Sequence, residues 1–134
     1  MLRSELQPFY NDEKGHLQKK LGDFIFINTN FNHVNAFFPA QNLFRPVEKT
    51  DAEPKFGKAA VGMSREYASG LRDHKQAIFD AFKDLIPRLN RAFPDHTLVV
   101  RPHPTENQDI YKQIAERCNG VVVTNAGNVV PWLM

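Results

Sequence analysis

Three short, uninterrupted apolar runs constrain the fold of this chain more than any other feature. They lie in residues 23–29, 97–101 and 121–124. A strand that is exposed on one face alternates apolar and polar residues, whereas a strand that is covered on both faces is apolar at almost every position. The three runs therefore predict strands of a sheet that is buried on both sides, as in parallel α/β proteins.

The segments between the runs have helical periodicity. From about residue 64 to residue 92, apolar residues recur at intervals of three, four or seven, which places them on one face of a helix. Pro87 falls within this segment and predicts a kink or an end of the helix. A second helix is expected over residues 106–118. The resulting β-α-β-α-β order predicts a partial Rossmann-like half-sheet with parallel strands and right-handed crossovers.

The chain divides into two parts by composition. Residues 1–22 are polar and rich in Lys, Glu and Gln, which is typical of an N-terminal extension or linker. Gly22 predicts the end of a short helix within this extension. Residues 23–134 hold all three apolar runs and are expected to form one incomplete Rossmann-like domain.

Composition and charge exclude several functional classes. Hydrophobic residues make up 42% of the chain and charged residues 24%, a balance that is typical of globular proteins. The net charge is +2, with acids and bases interspersed, so no nucleic-acid-binding surface is expected. The single cysteine, Cys118, excludes an intrachain disulfide and a thiolate metal cluster. No apolar run approaches the roughly 20 residues of a transmembrane helix, and no signal peptide is evident, so we expect a cytoplasmic location.

The segment after the second apolar run is the most informative candidate site. Ligands of open parallel sheets bind beyond the carboxyl ends of the strands. Here two prolines each restrict the residue before them to extended backbone, so Arg101 and His103 are expected to project to the same side. Thr105 is expected to cap the following helix, with Gln108 completing a capping box.

Such an arrangement is suited to binding an anion. The start of a helix presents free N–H groups and a partial positive charge, and the Arg101 guanidinium can donate two parallel hydrogen bonds to a phosphate. His103 can donate a hydrogen bond as negative charge builds on a departing nucleotide. The structural alternative is that Arg101 pairs with a carboxylate and that His103 is an ordinary loop histidine.

The other two predicted strand ends are also polar. Asn28 and Asn30 follow the first strand, and Asn125, Gly127 and Asn128 follow the third. Their amides could bond to a ribose, a base or a sugar, but they could equally form Asx turns. Gly127 is expected to supply a backbone conformation that other residues resist.

Other kinds of site have no signature in the sequence. The five histidines show neither a helical i, i+4 pair nor a His-x-Glu zinc motif, so no metal site is predicted. No serine lies in a nucleophile elbow, and no Gly-rich phosphate loop is present.

Three segments of the chain resemble a known family. They are residues 24–32 (FIFINTNFN), 99–106 (VVRPHPTE) and 127–132 (GNVVPW). In this order they are similar to bacterial proteins of capsule and O-antigen (surface-carbohydrate) biosynthesis. Those proteins resemble GT-B-fold transferases such as capsule Kdo transferases, bacterial polysialyltransferases and CDP-glycerol glycerophosphotransferases.

The resemblance implies roles for individual residues. In the relatives, an Arg-x-His-Pro or His-Pro motif at a strand end contacts the phosphate of the nucleotide donor. Carried over, this role falls on Arg101, His103 and Pro104, with Thr105 and Glu106 completing the donor-phosphate segment. His103 would then be the catalytic residue.

The resemblance also implies an activity for the complete protein. Residues 23–134 would be an incomplete nucleotide-binding domain of a GT-B glycosyltransferase that uses a CMP- or CDP-linked sugar, a glycan acceptor and no cofactor. The enzyme would be cytoplasmic, and peripheral attachment at the inner membrane face is left open.

Family members are longer than this chain at both ends. We therefore expect a fragment that is inactive alone, with an uncovered sheet edge and helix face that favour self-association or a complementary chain. The alternative is a non-enzymatic remnant or interaction module.

Overall fold

A computed structural model of the protein describes residues 3–47 and 53–134, which contain a three-stranded sheet. The strands are β1 (Phe24–Asn28), β2 (Thr97–Arg101) and β3 (Val121–Val123). Their order is β1-β2-β3, and both neighbouring pairs are parallel. The mixed α/β class, the three strands and their parallel order are therefore confirmed, as is the partial Rossmann-like character of the fold.

Four α-helices accompany the sheet in the described ranges. They are α1 (Asn11–Leu21), α2 (Arg65–Ala92), α3 (Asp109–Ala115) and α4 (Val130–Leu133). Short 3-10 turns occupy Ser4–Phe9, Pro39–Gln41 and Lys58–Ala60. None of the helices in this part of the chain combines the length and the apolarity that crossing a membrane requires.

The longest helix, α2, differs from its prediction at Pro87. It is capped by Ser64, whose hydroxyl accepts a hydrogen bond from the Tyr67 N–H, and it continues from Arg65 through Pro87 to Ala92. Ile86 and Leu89 pack against the core on either side of the proline. Their burial outweighs the one backbone hydrogen bond that Pro87 cannot make, so the expectation that the helix could end there is wrong.

The main core lies between the sheet and the pair α2 and α3. Alternate strand residues face these helices, because successive side chains of a strand point to opposite faces. Each fully buried side chain of this size stabilises the fold by about 1.5–3 kcal/mol. The buried members of this cluster are Ile27, Phe79, Ile86, Leu98, Val100 and Tyr111.

The opposite face of the sheet is covered by α1 and α4. Trp132 of α4 packs on Phe24 and Phe26, with ring centroids 6.0 and 5.8 Å apart. The Thr97 hydroxyl donates to the backbone oxygen of Leu21 at the end of α1. Residues 3–22 of the predicted extension therefore include a helix that lies against this face, while residues 1–2 lie outside the described residues.

Candidate ligand site at the carboxyl edge of the sheet

The three strand ends meet at one edge of the sheet. Asn28 and Arg101 are register partners at the ends of β1 and β2, and the Thr124 N–H after β3 donates to the Val100 oxygen. Polar residues that follow the three strands therefore share one surface. Its exposed members among the predicted site residues are Asn28, Asn30, His103, Pro104, Thr105, Gly127 and Asn128.

The turn after β2 is built around the buried carboxylate of Glu106. This side chain is 0% exposed. One oxygen accepts hydrogen bonds from the Thr29 hydroxyl at 2.7 Å and from the His103 N–H at 3.0 Å, and the other accepts from the Tyr111 hydroxyl at 2.7 Å. A hydrogen bond to a charged group contributes about 1.5–3 kcal/mol, so three such bonds offset much of the cost of burying this carboxylate.

The prediction that Glu106 contacts a donor phosphate is corrected by this geometry. Glu106 has no exposed surface, and both of its oxygens are engaged inside the protein. It connects the end of β1, the backbone of His103 and α3. Its role in the structure is to hold the turn that presents His103.

Thr105 does not cap a helix, which is a second correction. The Glu106 N–H donates to the His103 oxygen at 2.8 Å, so the chain closes a turn there rather than entering a helix. α3 begins only at Asp109, whose N–H donates to the Asn107 side chain. The seven-residue α3 therefore provides no helix N-terminus beside His103.

Arg101 is directed to the loop after β3. Its guanidinium donates to the backbone oxygens of Ala126 at 2.8 Å and Gly127 at 2.7 Å, and it lies 5.9 Å from the ring centroid of Trp132. The residue is buried, with 8% of its surface exposed. The predicted convergence of Arg101 and His103 on a shared anion is therefore not preformed, because the two side chains have different partners.

His103 is exposed and has a defined ring orientation. Its Nδ1 lies 2.8 Å from the Thr105 hydroxyl and 3.3 Å from the Thr105 N–H. A backbone N–H can only donate, so this contact favours the tautomer in which Nδ1 accepts and Nε2 carries the proton. The Nε2–H then remains available to donate to a ligand.

Tyr111 supports the turn from within the core. Burial raises the pKa of its phenol far above the usual value, and the neighbouring Glu106 carboxylate raises it further, while the nearby polar side chains of Thr29 and Asn35 act in the opposite direction. The phenol therefore stays protonated and remains a donor to Glu106.

The end of β3 forms a compact loop. Gly127 has a φ of 70°, and a Cβ at this position would lie 2.9 Å from a carboxylate oxygen of Glu13, so its predicted special backbone conformation is confirmed. The Asn128 side-chain oxygen accepts from the Val130 N–H, as in an Asx turn. Asn125 is half-buried.

Two shallow cavities adjoin this edge. One, of about 270 Å³, is lined by residues that include Asn32, Lys58 and Thr105. The other, of about 280 Å³, lies between α1 and the β3 loop and includes Glu13 and Trp132. Both are slightly smaller than typical ligand pockets, which begin at about 300 Å³.

Sequence reasoning missed several residues of this region. Thr29 and Tyr111 complete the Glu106 network, and Glu13, Lys58 and Trp132 line the cavities. Only Thr29 had a local signal, as a polar residue directly after a buried strand. Within residues 3–47 and 53–134, no group of three or more His, Cys, Asp or Glu residues is arranged to hold a metal ion.

The fold and this edge together define an α/β domain with a partial Rossmann-like sheet and polar strand ends. No protein-family model matches the chain, and no curated protein or solved structure matches it. The likeness to GT-B transferases therefore rests on the three sequence segments alone.

Proposed function

We propose that this chain is part of the nucleotide-binding half of a nucleotide-sugar-dependent glycosyltransferase of surface-polysaccharide synthesis. The turn after β2 would contact the phosphate of a CMP- or CDP-linked donor. The observation that carries the proposal is the exposed imidazole of His103 at the carboxyl end of the central strand, with Nδ1 held by Thr105. Parallel α/β sheets bind their ligands at this position.

In this proposal the Nε2–H of His103 donates to a phosphate oxygen of the donor. Negative charge builds on the nucleotide as its bond to the sugar breaks. A fixed donor at that oxygen binds the transition state more strongly than the ground state, which accelerates transfer. Glu106 contributes by fixing the His103 backbone, and Pro104 by restricting its conformation.

Arg101 has a positioning role in this proposal. Its two hydrogen bonds fix the carbonyl groups of Ala126 and Gly127. These hydrogen bonds fix the shape of the loop. From this loop, the side chains of Asn125 and Asn128 would contact the nucleotide or the sugar. The binding site for the glycan acceptor and the remaining catalytic groups would lie in other parts of the complete enzyme.

A second candidate is a remnant or interaction module without its own activity. The observation in its favour is that Arg101 and Glu106 are both engaged by internal partners and present no open anion seat. On this hypothesis the strand ends are purely structural, and nucleotides bind nowhere on the chain.

Nucleotide titration followed by NMR distinguishes the two candidates. We expect CMP or CDP to shift the ring signals of His103 but not those of His74, an exposed histidine of α2. Loss of one hydrogen bond to a charged group corresponds to about a tenfold weaker Kd, so H103A should bind CDP about tenfold less tightly, with H74A unchanged.

The opposite result would support the remnant hypothesis. If CMP, CDP and UDP leave the His103 ring signals unmoved at the highest concentrations reached, or if H103A binds CDP as tightly as the wild type, the donor-phosphate role of this turn is wrong.

A further inference from the structure

A groove between α2 and α3 is larger than the cavities at the carboxyl edge of the sheet. Its volume is about 480 Å³, compared with about 270 and 280 Å³ for those two. Small-molecule pockets range from about 300 to 1,000 Å³, so this groove is large enough for a ligand. It is lined by residues of both helices and of the turn after α3. We call it the α2–α3 cavity.

The α2–α3 cavity lies away from the candidate ligand site. α2 ends shortly before β2 begins, and residues 117–118 follow α3 shortly before β3 begins. One end of the cavity therefore lies at the amino edge of the sheet. The Asn90 side chain joins the two segments there by donating to the backbone oxygen of Asn119. The turn that presents His103 lies at the opposite edge, so a ligand in this cavity would bind separately from one at His103.

The floor of the α2–α3 cavity is apolar. It is formed by Pro87 of α2 and by Ile110 and Ile114 of α3. Both isoleucines pack against the main core cluster, but they are only half-buried, so part of each side chain faces the cavity. Covering this surface removes apolar area from water, which favours a ligand with an apolar body.

The charged residues of the cavity are separated along its length. α2 and α3 run in the same direction, because each leads from the carboxyl side of the sheet to the amino end of the next strand. Arg91 and Arg117 therefore both lie at the amino-edge end of the cavity. Asp84 lies at the other end, two helical turns or about 10 Å before Arg91. A ligand with a single anionic group at one end fits this distribution.

The two guanidiniums at the amino-edge end are not neutralised by an acid. In the described part of the chain, neither Arg91 nor Arg117 forms an ion pair, whereas Lys83 of the same cavity is paired with Asp80 at 2.8 Å. The cavity lining has three bases and one acid, although the whole chain has 17 bases and 15 acids. Guanidinium groups bind carboxylates through parallel hydrogen bonds, so this end favours an anion.

We propose that the α2–α3 cavity is a second ligand site, for a small organic carboxylate with an apolar body. The carboxylate binds between Arg91 and Arg117, and the apolar body covers Pro87, Ile110 and Ile114. The two helices position these groups from opposite sides of the groove. The proposal is independent of the nucleotide-binding function proposed above, because none of these residues belongs to the carboxyl edge.

Cys118 can report whether the cavity is occupied, because it is the only cysteine of the chain and lines the cavity. Its thiol can be modified with dithiodipyridine, an uncharged disulfide whose reaction releases the coloured thiopyridone. We expect phenylbutyrate, a carboxylate with an apolar body, to slow this modification in a saturable way. Phenylbutyramide, the uncharged amide, should protect Cys118 only at concentrations at least about tenfold higher, because it lacks the charge that Arg91 and Arg117 bind.

Two arginine variants and a matched control test the cationic end of the cavity. R91A and R117A should each raise the phenylbutyrate concentration needed for protection by about tenfold, since each removes a charge-assisted hydrogen bond. R88A should protect as the wild type does, because Arg88 is an exposed arginine of the same helix that lines a different groove. Protection is expressed relative to the modification rate of each variant without ligand, and circular dichroism melts check that each variant is folded.

The proposal is wrong if phenylbutyrate and its amide protect Cys118 equally, if neither protects it, or if folded R91A and R117A are protected as the wild type is. It is also wrong if protection rises with protein concentration when no ligand is added. A second copy of the chain, rather than an organic anion, would then cover the cavity.

Discussion

Two buried charges at the carboxyl edge of the sheet are stabilised in different ways. Glu106 lies on the face covered by α2 and α3, and Arg101 lies on the face covered by α1 and α4. Neither has a partner of opposite charge within the described residues, and both are held by neutral groups. Glu106 joins the neighbouring backbone of His103 and α3 to Thr29, which lies 77 residues earlier in the chain, whereas Arg101 holds a single loop. The turn after β2 is thus part of the core, while the loop after β3 is held from one side.

The strongest test of this comparison is removal of the Glu106 carboxylate. E106A leaves the Tyr111 and Thr29 hydroxyls without this acceptor, and the His103 N–H keeps only the Thr29 backbone oxygen at 3.2 Å. We expect it to lower the free energy of unfolding by about 3 kcal/mol, measured by denaturant titration. E106Q keeps the shape and one acceptor oxygen, so it should lose less. If E106A has the same free energy of unfolding as the wild type, Glu106 does not stabilise the core.

Removal of the Arg101 guanidinium should have a smaller effect. R101A loses two hydrogen bonds to backbone oxygens, and we expect the free energy of unfolding to fall by about 2 kcal/mol. Trp132, the only tryptophan of the chain, lies over Arg101 and should change its fluorescence as the loop relaxes. If R101A lowers the free energy of unfolding more than E106A does, the Arg101 contacts stabilise the fold more than the Glu106 contacts, contrary to this comparison.

The smallest effect is expected from the Tyr111 hydroxyl. Y111F removes one donor to Glu106 and should cost about 1 kcal/mol at neutral pH. Burial raises the pKa of Tyr111 in the folded chain, so the unfolded chain loses this proton first as the pH rises. Wild-type stability should therefore be maintained below about pH 10 and fall above it.

Denaturant titrations of the wild type and of Y111F, at pH values below and above about 10, measure how the free energy of unfolding of each protein depends on pH. Y111F lacks the titrating group, so its stability should fall less steeply there. Identical pH dependence in the two proteins would mean that the Tyr111 phenol titrates alike in the folded and unfolded chains.

Local sequence pattern was sufficient for the strands and for most of α2. A strand covered on both faces requires a continuous apolar run, and a long helix on a sheet requires a periodic stripe, so both leave signals that are independent of the rest of the chain. The polar strand ends were identified on the same basis. Their common location was also predictable, because the carboxyl ends of parallel strands lie at the same edge of the sheet.

The partners of the charged residues were not predictable in this way. Thr105 and Gln108 have the spacing of a capping box, but α3 begins at Asp109, because Glu106 is held in the core by Thr29, directly after β1, and by Tyr111 of α3. Arg101 bonds to a loop 25 residues later in the chain. Such contacts depend on which segments the sheet brings together, and local spacing carries no information about them.

The sequence by itself determined the elements of this protein: three apolar strands, of which the central one is buried along most of its length, a long amphipathic helix between the first two, and polar residues at the strand ends. These follow from periodicity and from the backbone preferences of proline and glycine, which act over a few residues. Only the tertiary structure decided which polar groups are available to a ligand. A side chain such as Glu106 or His103 becomes buried or exposed through contacts between segments that are far apart in the chain.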